Sequence, residues 1–208
     1  MDLTAGARRV GMFGGAFDPP HNGHVALAGA ALAQLQLDEL RVVPTGHAWH
    51  KARILTPASD RLAMARLAFA GLPGVVVDDR EMHRAGPTYT IDTLREFASE
   101  QPGAQLYLVM GADQARALPS WHRWQDLFQI AIISIAEREQ QERAQAEFDS
   151  MNFPHARFAP LQWTPMQVSA TQIRALAGNR HNAGQGIAQL VPASIARYIE
   201  QHHLYRTP

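Results

Sequence analysis

Five short, mostly apolar runs recur along the chain, each bounded by glycine, proline or polar residues. Nearly continuous apolar runs of this length are typical of strands that are buried on both faces of a sheet. The predicted strands are Arg9–Phe13, Leu40–Pro44, Val75–Val77, Gln105–Met110 and Ile130–Ile135.

Between and after these runs, apolar residues recur at the spacing of helices. The predicted helices are Val25–Leu37, a helix that begins at Pro57 with Thr56 as its N-cap and ends at Gly71, and Thr90–Ala98, Ser120–Phe128, Glu137–Phe148, Ser169–Ala177 and Ala193–Gln201. Strands that alternate with helices predict an α/β fold, a Rossmann-like doubly wound parallel sheet with helices on both faces.

The chain shows neither an internal repeat nor a linker between independent cores. We therefore predict a single domain over residues 1–208. Its α/β sheet core would cover roughly residues 8–165, and a small C-terminal helical appendage would cover 166–208.

Composition narrows the class of function. The 208 residues include no cysteine, and the formal net charge is +0. The missing cysteines exclude disulfides, thiolate metal ligands and a cysteine nucleophile. A neutral chain also disfavours a nucleic-acid binder that works by neutralising phosphates. Because residues 1–9 lack the apolar core of a signal peptide and no apolar run reaches membrane-spanning length, we expect a cytoplasmic protein without a membrane anchor.

A glycine turn, GGAFDPP, follows the first predicted strand at residues 14–20. Ligands of open parallel sheets bind beyond the carboxyl ends of the strands. Gly14 and Gly15 would let the backbone approach an anion closely, and the next helix would present free N–H groups to it. The spacing matches neither the dinucleotide fingerprint nor the P-loop, so a phosphate site here would be of another design.

His21 and His24 follow this turn and are expected on one face of the first helical turn. Two imidazole donors that converge on a reacting phosphate would stabilise developing charge, and no nucleophilic side chain is then required. The competing interpretation is that one histidine caps the helix and the other is a surface residue. A metal site is a further alternative because His47 and His50 repeat the spacing, although no HExxH motif is present.

Two motifs at opposite ends of the chain resemble the signatures of the HxGH nucleotidyltransferases. They are GGAFDPPHNGH at residues 14–24 and VSATQIR at residues 168–174, which is similar to the pattern ISSTxIR. The segments between them, including DDREMHRAGPTYTIDTL at 78–94 and MGADQARALPSWHRW at 110–124, resemble those of bacterial nicotinate-mononucleotide adenylyltransferases. This resemblance covers almost the whole chain.

The resemblance implies adenylyl transfer from ATP to nicotinate mononucleotide, giving nicotinate adenine dinucleotide and pyrophosphate in NAD biosynthesis. His21 and His24 would be the catalytic residues. Mg²⁺ would accompany ATP, bound mostly by phosphates and water and not by a carboxylate cage. The residues implied for ATP and its phosphates are Gly14, Gly15, Phe17, Gly111, Asp113, Ser169, Thr171 and Arg174, and those implied for the mononucleotide are Ala16, Lys51, Tyr89, Thr90 and Trp121.

Ordinary structural roles compete with several of these assignments. Ser169 and Asp113 fit plain helix caps as well. Lys51, the only lysine of the chain, fits a solvated side chain equally well. An isolated tryptophan is more often a core residue than a ligand platform, and Trp124 is the candidate for that core role beside Trp121.

The chain departs from the family pattern at three places. Ala170 replaces the second serine of ISSTxIR, Trp49 stands where proline is frequent, and IAEREQQ at 135–141 lacks the usual arginine-proline-glycine turn. The third departure leaves the pyridine-side contacts of that loop in doubt.

Other functions stay open at this point. The same chemistry on nicotinamide mononucleotide or phosphopantetheine is one alternative, and a non-catalytic nucleotide-sensing module is another. The sequence does not distinguish the acid from the amide form of the mononucleotide. It also leaves the oligomeric state open, a homo-oligomer included.

Overall fold

The fold is described by a computed structural model that covers residues 6–46, 54–136, 156–159, 161–162, 166–178 and 186–206. Its strands are β1 Arg9–Gly15, β2 Glu39–Pro44, β3 Val75–Val77, β4 Gln105–Met110 and β5 Ala131–Ile135. They form one five-stranded sheet in the order β3-β2-β1-β4-β5, and every neighbouring pair is parallel. The predicted α/β fold with a parallel sheet is confirmed.

Helices connect the strands and cover the sheet. They are α1 Asn22–Gln34, α2 Ala58–Phe69, α3 Thr90–Glu100, α4 Ala112–Ala117, α5 Trp124–Ile130, α6 Ala170–Ala177 and α7 Ala193–Gln201, with 3₁₀ turns at Arg80–His83 and Leu118–Ser120. Helix α1 begins at Asn22 and not at the predicted Val25, because His21 has an extended backbone (φ −141°, ψ 172°) and forms the N-cap.

Two helix predictions are wrong in detail. The predicted helix Ser120–Phe128 is interrupted, because Arg123 adopts the left-handed conformation (φ 51°) and α5 begins only after it. Thr56 is not the N-cap of α2, since Pro57 occupies that position. The predicted helix Glu137–Phe148 lies outside the described residues.

The two faces of the sheet have separate hydrophobic cores. On the first face, helices α1, α2, α6 and α7 contribute buried side chains that include Leu27, Ala31, Met64, Phe69, Ile173, Ala177, Ile195 and Ile199. On the second face, helices α3, α4 and α5 contribute Ile91, Leu94, Phe97, Ala115, Leu127 and Phe128. The C-terminal helices therefore share one core with α1 and α2, while the proposed division near residue 165 stays a prediction.

Backbone beyond β5 extends the sheet. The Ile133 amide donates to the Arg157 carbonyl at 2.8 Å, and the Ala159 amide donates to the Ile133 carbonyl at 3.0 Å. A second parallel bridge joins Ala136 to Leu161. The sequence did not predict this pairing. Within the described residues, no helix has both the length and the apolar character needed to cross a membrane.

Candidate active site

A cleft of about 780 Å³ opens at the carboxyl end of the sheet, where residues from β1 and β4 line it. These two strands are neighbours. The chain leaves β1 towards α1 on the first face and leaves β4 towards α4 on the second face. Ligands of doubly wound sheets bind at such a switch point, so the topology itself places a binding site here.

Most of the predicted site residues line this cleft. They are Gly14, Gly15, Ala16, Phe17, His21, His24, Tyr89, Thr90, Gly111, Asp113, Trp121, Ser169 and Arg174. Thr171 does not line it but contacts Arg174. Lys51, His47 and His50 lie outside the described residues. The structure gives positions, and the role assigned to each residue stays a prediction.

The two histidines are held together at the start of α1. His21 is the N-cap, and its backbone amide donates to Nδ1 of His24 at 3.2 Å. Because Nδ1 of His24 accepts this bond, the neutral ring carries its proton on Nε2. The two rings stack with their centroids 3.7 Å apart. The extended His21 backbone and the first helical turn thus bring both imidazoles to one place.

Burial controls the charge of His21. It lowers the pKa of His21 from the ordinary value of 6.5 to about 4, because the charged ring is poorly solvated there. His21 is therefore neutral at pH 7. Its Nδ1 atom is buried and has no hydrogen-bond partner among the described residues. This atom faces the start of α1, since a Cβ atom at Gly23 would lie 3.1 Å from it.

The start of α1 does not offer the row of free amides that the sequence suggested. The Asn22 amide donates to the Leu190 carbonyl at 3.0 Å, and the His24 amide donates to the His21 carbonyl at 2.9 Å. The Asn22 side chain also donates to the Gln189 carbonyl at 2.9 Å. A distant C-terminal segment takes up the Asn22 donors, and the His21 carbonyl takes up the His24 amide. The expectation of a row of free N–H groups is therefore corrected, and side chains must supply more of any anion binding.

Phe17 belongs mainly to the core. Its side chain is buried, with its ring centroid 5.1 Å from that of His24 and 5.7 Å from that of Phe69. Its backbone is in the left-handed region (φ 46°), which turns the chain sharply after Gly15. Phe17 therefore shapes the turn and supports the His24 ring, and any substrate contact falls to its backbone.

Arg174 joins the late motif to the early one. Its guanidinium donates to the Asp18 carbonyl at 2.8 Å and to the Thr171 hydroxyl at 3.0 Å. Ser169 is the N-cap of α6 and accepts the Gln172 amide at 3.2 Å. The capping interpretation of Ser169 is thus confirmed, and Arg174 reaches the same cleft as the two histidines.

Asp18 is a buried carboxylate that the sequence interpretation missed. Only 2% of the residue is exposed. It accepts the Tyr205 hydroxyl at 2.8 Å and the Thr56 amide at 3.2 Å. Burial and the nearby Asp18 charge raise the pKa of Tyr205. The position of Asp18 between the glycine turn and a proline was visible in the sequence, but its partners Thr56 and Tyr205 come from distant segments. The bond from Tyr205 thereby helps to fix the turn that precedes His21.

Aromatic side chains form the second-face wall of the cleft. Tyr89 is the N-cap of α3, and its ring stacks on His122 with centroids 4.2 Å apart. Trp121 lines the cleft beside them. Trp124 meets Phe128 edge-on at 5.9 Å, and both tryptophans are half-buried against the second-face core. Trp121 lines the cleft and Trp124 does not. The core role predicted for Trp124 is therefore confirmed, but Trp121 shares it.

Asp113 is the most exposed of the predicted site residues at this end of β4. Its side chain is 85% exposed and pairs with Arg116 one turn on. Gly111, not Asp113, is the N-cap of α4. The capping alternative for Asp113 is therefore wrong, while contact with a ribose hydroxyl stays a prediction.

Glu81 is a second buried carboxylate that was not predicted. It lines the cleft and accepts the Thr93 hydroxyl at 2.8 Å. Burial raises its pKa. A Cβ atom at Gly46 would lie 2.0 Å from the Glu81 carbonyl, so only glycine fits where the loops after β2 and β3 meet.

Comparison with known proteins agrees with this geometry. The Cytidylyltransferase-like family model matches residues 12–176. A probable nicotinate-nucleotide adenylyltransferase of Albidiferax ferrireducens is 57% identical over 200 residues, which cover 96% of this chain and 99% of that protein. A probable nicotinate-nucleotide adenylyltransferase of Methylibium petroleiphilum is 42% identical, over 97% of this chain and 94% of that protein.

A solved structure has the same fold. Nicotinic acid mononucleotide adenylyltransferase of Plasmodium falciparum, complexed with NaAD, superposes with a TM-score of 0.78. The superposition covers 95% of this chain and 97% of that chain at 20% sequence identity. At this identity the likeness concerns the fold.

Proposed function

The chain belongs to the nicotinate-nucleotide adenylyltransferase family, and from this membership we infer that it transfers the adenylyl group of ATP to nicotinate mononucleotide. The products are nicotinate adenine dinucleotide and pyrophosphate. The observation that carries the inference is the identity of 57% to a relative of that name over 96% of the chain.

The bond changes determine what the protein must supply. A phosphate oxygen of the mononucleotide attacks the α-phosphorus of ATP, a new P–O bond forms, and the bond to the bridging oxygen breaks. The electron pair of that bond leaves with pyrophosphate. Because the attacking phosphate is already anionic, no general base is needed, and catalysis rests on positioning and charge stabilisation.

His21 and His24 are suited to this charge stabilisation. His24 carries a proton on Nε2 while its Nδ1 is engaged, so it is a fixed donor. His21 is neutral at pH 7, and a polyphosphate beside it would raise its pKa. We propose that both rings contact the α- and β-phosphates, where charge develops in the transition state.

The second phosphate contact comes from α6. Arg174 lines the cleft, and its guanidinium is oriented by the Asp18 carbonyl and the Thr171 hydroxyl. Guanidinium groups bind phosphate oxygens through paired hydrogen bonds. We propose that Arg174 holds the leaving pyrophosphate, with Ser169 and Thr171 supporting the turn.

Mg²⁺ could bind in this cleft together with ATP, without a set of protein ligands of its own. The described residues contain no group of three His, Cys, Asp or Glu side chains that could enclose a metal ion. Mg²⁺ commonly keeps several waters and binds through substrate phosphates, so it requires no such cage. We propose that it arrives with ATP and neutralises phosphate charge. The protein's part is to orient those phosphates with His21, His24 and Arg174.

The mononucleotide is assigned to the second-face side of the cleft. Trp121 offers a flat face to the pyridine ring, and Tyr89 and Thr90 offer polar groups at the start of α3. Ala16 and Lys51 complete the proposed set. Cytoplasmic location and a homo-oligomeric state stay predictions.

A pyrophosphate-release assay tests the function. The protein is incubated with ATP, Mg²⁺ and one acceptor, which is nicotinate mononucleotide, nicotinamide mononucleotide or phosphopantetheine. We expect release with nicotinate mononucleotide at the highest kcat/KM. A higher kcat/KM with phosphopantetheine would reassign the acceptor, and no release with any acceptor would favour a nucleotide-sensing module.

A further inference from the structure

Arg61 is a buried arginine in the first turn of α2, with only 2% of its surface exposed. Its guanidinium donates to four backbone carbonyls. Nε bonds to Thr56 at 3.0 Å, Nη1 bonds to Ala16 at 3.0 Å and to Thr45 at 2.7 Å, and Nη2 bonds to Gly46 at 3.2 Å. One side chain therefore holds the turn after β1, the loop after β2 and the start of α2.

These bonds use the shape of the guanidinium. Arginine presents five N–H donors in a rigid plane, whereas lysine presents three donors on one nitrogen atom. Burying a cation is unfavourable unless its hydrogen-bond donors are satisfied. The buried Arg61 therefore requires the loop carbonyls to stay at hydrogen-bond distance. The loops cannot shift without breaking several bonds at once.

Two of the carbonyls that accept bonds from Arg61 belong to residues that line the cleft. Ala16 and Thr45 both line it, and both accept from the same Nη1 atom. The Thr45 amide in turn donates to the Gly15 carbonyl at 2.8 Å. We call Ala16 and Thr45 the acceptor lip.

We propose that Arg61 is a positioning residue that fixes the acceptor lip for the mononucleotide. This inference rests on the proposed function, because Ala16 belongs to the proposed mononucleotide site. Gly46, whose carbonyl accepts the fourth bond from Arg61, directly follows Thr45.

Bonds from other side chains hold Arg174 and the start of α1, which are proposed to contact the ATP phosphates. Arg174 is tied to the Asp18 carbonyl, and Asn22 is tied to the Leu190 and Gln189 carbonyls. Two of the four bonds of Arg61 end on the acceptor lip itself. A weakened Arg61 network should therefore disturb mononucleotide binding more than ATP binding.

The test is Arg61→Lys, which keeps the charge but cannot reach all four carbonyls. Arg66→Lys is the matched control, because Arg66 lies on the same helix with a 59% exposed side chain paired with Asp79 at 3.0 Å. We expect Arg61→Lys to raise the KM for nicotinate mononucleotide about tenfold or more and the KM for ATP less than threefold. Arg66→Lys should leave both KM values within about twofold.

Equal rises in both KM values, or a lower melting temperature with unchanged KM values, would show that Arg61 is only structural and would overturn the inference. If Arg61→Lys does not fold, hydrogen exchange of backbone amides in the unaltered protein tests the inference instead. Nicotinate mononucleotide alone should slow exchange at Ala16, Thr45 and Gly46 more than a non-hydrolysable ATP analogue alone. Equal or absent protection there contradicts the inference. Failure of the inference can be told apart from failure of the proposed function. If the proposed function is wrong, the unaltered protein itself releases no pyrophosphate.

Discussion

The imidazole rings of His21 and His24 are stacked, with centroids 3.7 Å apart and planes inclined by 22°. Burial lowers the pKa of His21 to about 4, so this ring is neutral at pH 7. His24, whose Nδ1 is engaged by the His21 amide, is then the ring best oriented to donate from Nε2.

We predict that His24→Ala lowers kcat by about 100- to 1000-fold, which is the usual effect of removing one transition-state donor. The substitution also removes the acceptor of the His21 amide, so the free energy of unfolding should fall by only about 1 kcal/mol. Pyrophosphate release and thermal unfolding measure the two effects. His83→Ala, at a side chain that is 73% exposed, is the control and should change neither. A His24→Ala enzyme with a near-normal rate would contradict the assignment.

The buried His21 predicts a pH dependence of stability. Its folded pKa, about 4, lies below the ordinary 6.5, so between these values the unfolded chain binds a proton that the folded chain does not. Stability is therefore unaffected by this group above pH 6.5 and decreases as the pH falls towards 4. The loss is at most about 3–4 kcal/mol, since one pKa unit corresponds to about 1.4 kcal/mol.

Other carboxylates and histidines titrate over the same range, so His21 must be isolated by comparison. Denaturant unfolding of the unaltered protein and of His21→Gln should be measured from pH 7 to pH 4.5. We expect the free energy of unfolding to fall less steeply with decreasing pH in His21→Gln. Parallel curves for the two proteins would show that His21 is not held neutral by burial.

Trp121→Ala should mainly weaken mononucleotide binding. Stacking of an aromatic ring on a base is worth about 1–3 kcal/mol, which predicts a Kd for nicotinate mononucleotide that is roughly 5- to 150-fold higher. Titration measures this value. Trp124→Phe is the comparison, because Trp124 packs on the same second-face core as Trp121 but does not line the cleft. This substitution should lower stability without changing the Kd. Unchanged affinity in Trp121→Ala would remove Trp121 from the site.

The parallel sheet could be predicted because each buried strand is a nearly continuous apolar run, and that signal is local. The positions of His21 and His24 could also be predicted, since a glycine turn followed by a helix start fixes where adjacent side chains point. The interruption of the predicted helix at Arg123 could not be predicted, because a single residue in the left-handed conformation does not change the hydrophobic periodicity.

The contacts that hold the site together depend on tertiary structure, which explains why the sequence did not reveal them. Arg61 resembles any charged residue on an amphipathic helix, and its partners are backbone carbonyls, which have no sequence signature. The amide of Asn22 is taken up by Leu190, far along the chain. A helix start that is expected to bind an anion can thus be satisfied by the protein itself.

Two glycines of α1 give the sharpest test of how tightly the site is packed. A Cβ atom at Gly23 would lie 3.1 Å from Nδ1 of His21 and 3.2 Å from Cγ1 of Val168, closer than ordinary contacts. At Gly29 the nearest described atom would be Cδ2 of Leu72 at 3.9 Å, an ordinary contact. Alanine in a helix interior is favoured over glycine by about 0.5–1 kcal/mol.

Gly29→Ala should therefore raise the free energy of unfolding by about that amount and leave kcat unchanged. Gly23→Ala should gain less stability, because the His21 ring and the Val168 segment must move apart by a few tenths of an ångström. Since small displacements of catalytic groups are costly, we expect kcat to fall on the order of 10- to 100-fold. Denaturant unfolding and pyrophosphate release measure both variants side by side. If Gly23→Ala matched Gly29→Ala in both, the spacing between α1 and the Val168 segment would have no part in positioning His21.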